Sequence, residues 1–304
     1  MAIAVIVSGT IFAVGPWAAA ALDQDKPVRA TNAGELAAAA APGYFVWMQN
    51  SLDRQKHFDV FLKTSNGRLR VNAPGTEGAM GGISGNRLVY QQYTGGDPVR
   101  GSSDVYEFNL KTHERRALGG VNTGEWEYTP TISDEWLLFA RWSSKTDTRK
   151  VILRNVKSGA QRTLASVSSR AYVQAGQVNG NWVSYLRHQK GAPRYKAALY
   201  RYNISTKERS SVVDRYAWGP SVSDQGDVFY LSTGSECGSR PRFKRFRPTV
   251  KAGDEETAVL LRLREGIDMA RSYAYRDVQG RLAVLHEKAH CKNLDTGSDI
   301  YRLQ

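Results

Sequence analysis

A short apolar run follows a tight turn six times along this chain of 304 residues, at a spacing of about 45 residues. The turn-plus-run pieces are Pro42-Gly43-Tyr44-Phe45-Val46-Trp47, Gly85-Asn86-Arg87-Leu88-Val89-Tyr90, Asp134-Glu135-Trp136-Leu137-Leu138-Phe139, Gly180-Asn181-Trp182-Val183-Ser184-Tyr185, Gly226-Asp227-Val228-Phe229-Tyr230 and Gly280-Arg281-Leu282-Ala283-Val284. A repeat of this length built from strands predicts an all-β chain folded as a six-bladed β-propeller of four-stranded antiparallel blades. Within each repeat, strand A ends at the tight turn and strand B is the aromatic run. A loop then leads to strand C and a short turn to strand D. In the third repeat these strands are read at 129–133, 136–142, 151–156 and 161–164. The C–D turns carry the polar and glycine chemistry of turns, as in Lys157-Ser158-Gly159.

The B strands alternate with period two. Phe45, Leu88, Leu137, Val183, Val228 and Leu282 form one column, and Trp47, Tyr90, Phe139, Tyr185, Tyr230 and Val284 the next. Both columns fall on one face of each blade and are expected to make the dry contacts between blades. The last repeat stops after Asp299-Ile300-Tyr301-Arg302-Leu303, one strand short. Residues 27–31 are expected to pair with that strand and close the ring, because an unpaired edge is a liability that closed folds avoid.

Residues 2–14 are almost wholly apolar and are followed by Pro16 and the small residues Ala18-Ala19-Ala20-Ala21. This predicts a secretory signal over 1–22, with an uncleaved anchor as the alternative because no Lys or Arg precedes the run. The propeller is expected to occupy 26–304. No other segment reads as a membrane span. In an exported chain the two cysteines, Cys237 and Cys291, suggest a disulfide. They fall in equivalent B–C loops of the fifth and sixth repeats, so they would staple neighbouring blades. Closing a loop of about 54 residues is worth about 4 kcal/mol in the chain-entropy model.

The chain resembles the TolB-like six-bladed propellers, especially secreted forms from Gram-positive bacteria. The A–B turns Ile132-Ser133-Asp134 and Val222-Ser223-Asp224 carry the likeness, with the C-strand openings Ser103-Asp104-Val105-Tyr106 and Ser298-Asp299-Ile300-Tyr301. The Gly234-Ser235-Glu236-Cys237-Gly238 segment fits as well. Gly85 and Gly180 depart from the pattern, standing where Asp134 and Asp224 have their counterparts. The resemblance implies a fold and a binding habit, with no shared reaction and no cofactor.

His286-Glu287-Lys288-Ala289-His290 spells the H-E-x-x-H zinc signature. That chemistry needs a helix, and here the motif continues a B strand, where four residues span about 13 Å and part the two histidines. Arg240, Arg242, Lys244, Arg245 and Arg247 interleave with Phe243 and Phe246. The solvated face of a strand is the preferred reading over a nucleic-acid strip, because an exported location argues against nucleic acid. No nucleophile elbow, phosphate loop or dinucleotide fingerprint is present.

The D–A and B–C loops share one face of a propeller, around the mouth of its channel. The expected binding residues there are Trp126, Tyr128, Tyr172, Tyr216, Trp218 and Tyr273, with Gln92, Arg141 and Arg187 at strand B ends. Aromatics beside amide and guanidinium groups suit a polar partner. The net charge of +13 adds attraction to anionic surfaces. The sequence thus reads as a secreted or cell-surface monomer that binds a protein or an anionic envelope polymer. A propeller hydrolase or lyase acting on a glycan is the alternative.

Overall fold

The computed structural model describes residues 26–29, 35–50, 58–94, 102–168, 171–188, 197–232, 242–247, 256–262, 267–268, 272–290 and 298–303. The segment 1–22, Cys237 and Cys291 lie outside the described residues, as do most of the B–C loops. Every regular element described is a strand.

A first strand, β1 (Lys26–Arg29), precedes the repeats. The first sheet is β2 (Glu35–Ala41), β3 (Tyr44–Asn50), β4 (Phe58–Thr64) and β5 (Gly67–Arg70). The second is β6 (Glu77–Ser84), β7 (Arg87–Thr94), β8 (Ser102–Asn109) and β9 (Arg115–Ala117). The third is β10 (Trp126–Ser133), β11 (Trp136–Ser143), β12 (Thr148–Asn155) and β13 (Gln161–Ser168). The fourth is β14 (Val173–Asn179), β15 (Trp182–Arg187), β16 (Ala198–Asn203) and β17 (Arg209–Val213). The fifth is β18 (Ala217–Val222), β19 (Val228–Ser232), β20 (Arg242–Arg247) and β21 (Glu256–Arg262). In the last, a two-residue piece β22 (Ile267–Asp268) and β23 (Ser272–Arg276) both pair with β24 (Leu282–His290), and β24 pairs with β25 (Ser298–Leu303).

Within each sheet the pairing is antiparallel and follows chain order. A single parallel bridge between Ser103 and Trp126 joins the second sheet to the third. β1 pairs antiparallel with β25, Lys26 opposite Arg302 and Pro27 opposite Tyr301. The outer strand of the last sheet therefore comes from the opposite end of the chain. Each inner strand lies beside the next in the order β2, β6, β10, β14, β18, β23, and β23 lies beside β2.

The core is divided among the gaps between sheets. Leu138, Val151, Val183 and Tyr185 pack between the third and fourth sheets, and Leu199, Val228 and Phe246 between the fourth and fifth. The second B-strand column, Trp47, Tyr90, Phe139, Tyr185, Tyr230 and Val284, is buried throughout. In the first column Phe45 and Leu282 are only partly covered. Period two thus delivers the interface that the sequence predicts.

Five inner strands carry a register shift midway, between Leu36/Ala39, Ala79/Gly81, Tyr128/Thr131, Ala175/Val178 and Trp218/Ser221. A bulge bends a strand and re-aims its side chains. At the second of these only glycine fits, since a Cβ on Gly81 would stand 2.1 Å from the Val89 carbonyl oxygen.

Candidate functional site

The inner strands surround an axis, and their free edges face it. Backbone N–H and C=O groups left unpaired there cost free energy. Two side chains from across the axis meet this demand. Gln177 on β14 donates to the Ala274 carbonyl at 2.6 Å and accepts from the Ala274 N–H at 2.9 Å. Tyr273 on β23 accepts from the Ile83 N–H at 3.0 Å and donates to the Ile83 carbonyl at 3.2 Å. Asn179 donates to the Val222 carbonyl, and Ser221 and Ser272 bond to each other at 2.8 Å. Both long braces lie toward the hairpin end of the channel, where the A–B turns are.

Tyr273 is therefore not a rim residue. It is 3% exposed, and its hydroxyl is committed to β6. Tyr128 is also turned inward. Its hydroxyl donates to the Val173 carbonyl, and burial pushes its pKa far up. Gln92 is buried, accepting from the Tyr90 hydroxyl and the Ala73 N–H. These three corrections share one cause. An aromatic or amide near a strand end can face a neighbouring sheet as readily as solvent, and a period of two does not say which residue opposes it across the axis.

Of the other expected residues, Trp126, Tyr172 and Trp218 lie at the loop face in two aromatic groups. Trp126 sits between Tyr93, edge-on at 6.1 Å, and Trp142 at 5.9 Å, with the Arg149 guanidinium 5.1 Å over the Trp142 ring. Trp218 stacks on Tyr172 at 6.2 Å, and His188 meets Tyr172 edge-on at 6.4 Å. Trp126, Tyr172, Tyr216 and Trp218 are half-buried. Arg187 is exposed and, with Tyr200 and His188, lines a cleft of about 390 Å³ between the third and fourth sheets. Tyr93, Trp142, Arg149 and His188 were not singled out from sequence. Each lies one or two residues from a strand end on this face, and that position was the available cue.

Beneath the rim, Arg141 is held by Glu127 at 2.8 Å and by the Val121 carbonyl. Glu127 is fully buried. Burial raises its pKa, and Thr123 and Arg141 offset only part of that rise. Arg141 thus acts inside the blade.

The H-E-x-x-H segment lies entirely within β24, whose pairing with β25 runs from Val284 to Ala289. His286 is buried and stacked between Phe243 and Tyr301. Among the described residues no three His, Cys, Asp or Glu side chains gather as a metal site would require. In β20, Phe243 and Phe246 lie three residues apart and are buried on opposite faces, against the last and the fourth sheets, while Arg242 and Arg247 are exposed.

The opposite, hairpin face carries two adjoining hollows. A pit of about 180 Å³ at the channel end is lined by Gln177 and Tyr273. A cleft of about 680 Å³ lies beside it where the first and last sheets meet.

Several solved structures share this architecture. TolB from Agrobacterium tumefaciens matches at TM-score 0.55 and 13% identity, covering 90% of this chain and 91% of that one. The β-propeller domain of the Trilobed protease from Pyrococcus furiosus, described as having an open velcro topology, matches at 0.52 and 9%, covering 90% and 94%. TolB from Acinetobacter baumannii matches at 0.50 and 12%, covering 81% of this chain; the chain spans 59% of that protein's length. No family model matches the sequence, and no curated protein matches it either. At these identities the likeness shows the fold, a β-propeller of the TolB kind.

Proposed function

We propose that this chain is an exported binding module of the cell envelope that recognises a protein partner through its loop face. The observation that carries the reading is the pair of half-buried aromatic groups there, Tyr93–Trp126–Trp142 and Tyr172–Trp218, flanked by Arg149 and the exposed Arg187. Tryptophan, tyrosine and arginine dominate the energetics of protein interfaces, because each offers a large rigid or planar surface with a polar edge. The TolB proteins that share this fold lend it a binding habit by analogy. The expected Cys237–Cys291 staple, the signal over 1–22 and a monomeric state belong to the same reading.

An anionic envelope polymer is the second reading, favoured by the net charge of +13. Attraction to a polymer would weaken steeply with salt, whereas capture by aromatic stacking would persist. The glycan-enzyme alternative would need a carboxylate or histidine free to act at the mouth. Glu127, a buried carboxylate there, has one oxygen tied to Arg141 and Thr123 and the other buried without a hydrogen bond among the described residues.

Capture of envelope components by the immobilised mature chain tests the reading, alongside Trp126→Ala and Trp218→Ala. A specific protein should be retained at high salt by the parent and lost from both variants, with their thermal midpoints close to the parent's. Undiminished capture by both variants overturns the loop-face assignment.

A further inference from the structure

The hairpin-face cleft lies on the opposite side of the molecule from the loop face and has its own chemistry. Its volume of about 680 Å³ falls within the range of small-molecule sites. Tyr44 and Phe45 from the start of β3, Leu62 of β4 and Tyr275 of β23 form an aromatic and aliphatic wall. The first and last sheets contribute opposite sides, so the hollow sits at the seam where β1 completes the last sheet.

The rim is cationic. Asp277 is its one carboxylate among the lining residues. It accepts from the Gln279 and Arg281 N–H groups and from the guanidinia of Arg281 and Arg302, both at 2.9 Å. One carboxylate thus faces two arginines. Burial raises its pKa, and the Arg281 and Gln279 donors more than reverse that, so it stays ionised. Across the cleft, Lys63 is exposed with no anionic partner among the described residues. On Asp277's side the Arg302 guanidinium lies over the Tyr275 ring, 5.7 Å from its centre, and keeps part of its surface exposed. His113, stacked on Phe108, adds a further donor at the edge.

An apolar slot under an excess of positive charge selects for one chemistry. We propose that this cleft is a second binding site, for a small aromatic carboxylate. The ring lies against Tyr44, Phe45 and Tyr275, and the carboxylate meets Lys63 and the outer side of the Arg302 guanidinium. A neutral isostere keeps the stacking and forfeits the charge-assisted bonds. A charged aliphatic acid keeps the bonds and forfeits the stacking.

Titration calorimetry of the full chain with indole-3-acetate, indole-3-acetamide and acetate tests this, with saturation-transfer NMR as a second readout. Indole-3-acetate should bind about fivefold or more tightly than indole-3-acetamide, and acetate should be weaker than both. Lys63→Glu should remove most of the preference for the acid. Lys157→Glu, an exposed lysine on the third sheet's outer turn, should leave binding unchanged. Tyr44→Ala should weaken acid and amide alike. Equal binding of acid and amide, no binding of the acid at millimolar concentration, or an effect of Lys157→Glu equal to that of Lys63→Glu overturns the proposal. Loop-face capture is read separately, through Trp126 and Trp218, so either assignment can fail alone.

Discussion

The Gln177 side-chain amide pairs with both backbone groups of Ala274, donating to its carbonyl at 2.6 Å and accepting from its N–H at 2.9 Å. Gln177 lies on β14 and Ala274 on β23, so the contact reaches over the intervening β18. A primary amide has the same donor and acceptor pair as a peptide group. It therefore completes the free edge of an inner strand as another strand would, without admitting one. Tyr273 does the same for Ile83 with a single hydroxyl.

Gln177→Leu keeps the bulk of this residue and removes three bonds, leaving the buried Ala274 and Val222 N–H groups without the amide oxygen, while the Ala274 carbonyl keeps only the longer bond from Asn179 at 3.4 Å. The expected cost is about 2 kcal/mol, read as a lower urea midpoint with an unchanged m-value. A loss of only a few tenths would mean that water replaces the amide without penalty.

Tyr273→Phe removes only the hydroxyl that bridges to Ile83. Stability should fall by about 1–2 kcal/mol, and capture of the loop-face partner should be unaffected, since the ring is buried. Lost capture at full stability would return Tyr273 to the recognition surface.

Gly81→Ala should be among the most damaging single methyl additions. Its Cβ would meet the Val89 carbonyl oxygen at 2.1 Å, so backbone must move, at a cost of about 3 kcal/mol or more. Gly43→Ala serves as the comparison. Its φ of +81° strains an alanine, but nothing stands within 4 Å, so about 1 kcal/mol is expected. Thermal midpoints of the two variants rank them directly.

The acid limb of stability should report Glu107. Burial raises its carboxyl pKa, but Arg87 and Arg116 more than reverse this, so it lies below the usual glutamate range. A depressed folded-state value means that its contribution is whole above about pH 5 and fades as pH falls through the lowered value. Glu107→Gln should cost up to about 1 kcal/mol at pH 7, a modest figure because Arg116 is largely exposed. That difference should shrink as pH falls through the lowered value, in urea titrations of both proteins. A gap that widens on acidification would reverse the assignment.

Much of this architecture was legible because it rests on local rules. The turn-plus-run repeat located the six B strands, and alternation placed Leu88 with Tyr90, and Leu137 with Phe139, on one face; Val89 and Leu138 on the other face are equally buried. The short last repeat pointed to a strand from the other end, and β1 does pair with β25. His286 could be read as a strand residue because its neighbours continue a B run. The axis was not legible. Gln177 and Tyr273 act across sheets separated by many tens of residues, and a linear pattern does not encode which side chains meet there. The rim was read in part: Trp126, Tyr172 and Trp218 emerged, while Tyr128 turned toward the fourth sheet. The hairpin-face cleft went unread because its walls come from turns of the first and last repeats, each of ordinary composition.

Site-specific photocrosslinking in intact envelopes tests the central claim most directly. A benzophenone side chain is placed at Arg187 on the loop face or at Gln279 on the hairpin face, both exposed positions. The account predicts a discrete protein adduct from position 187, abolished by Trp218→Ala, and none from position 279. A protein adduct from 279 with none from 187 would contradict it.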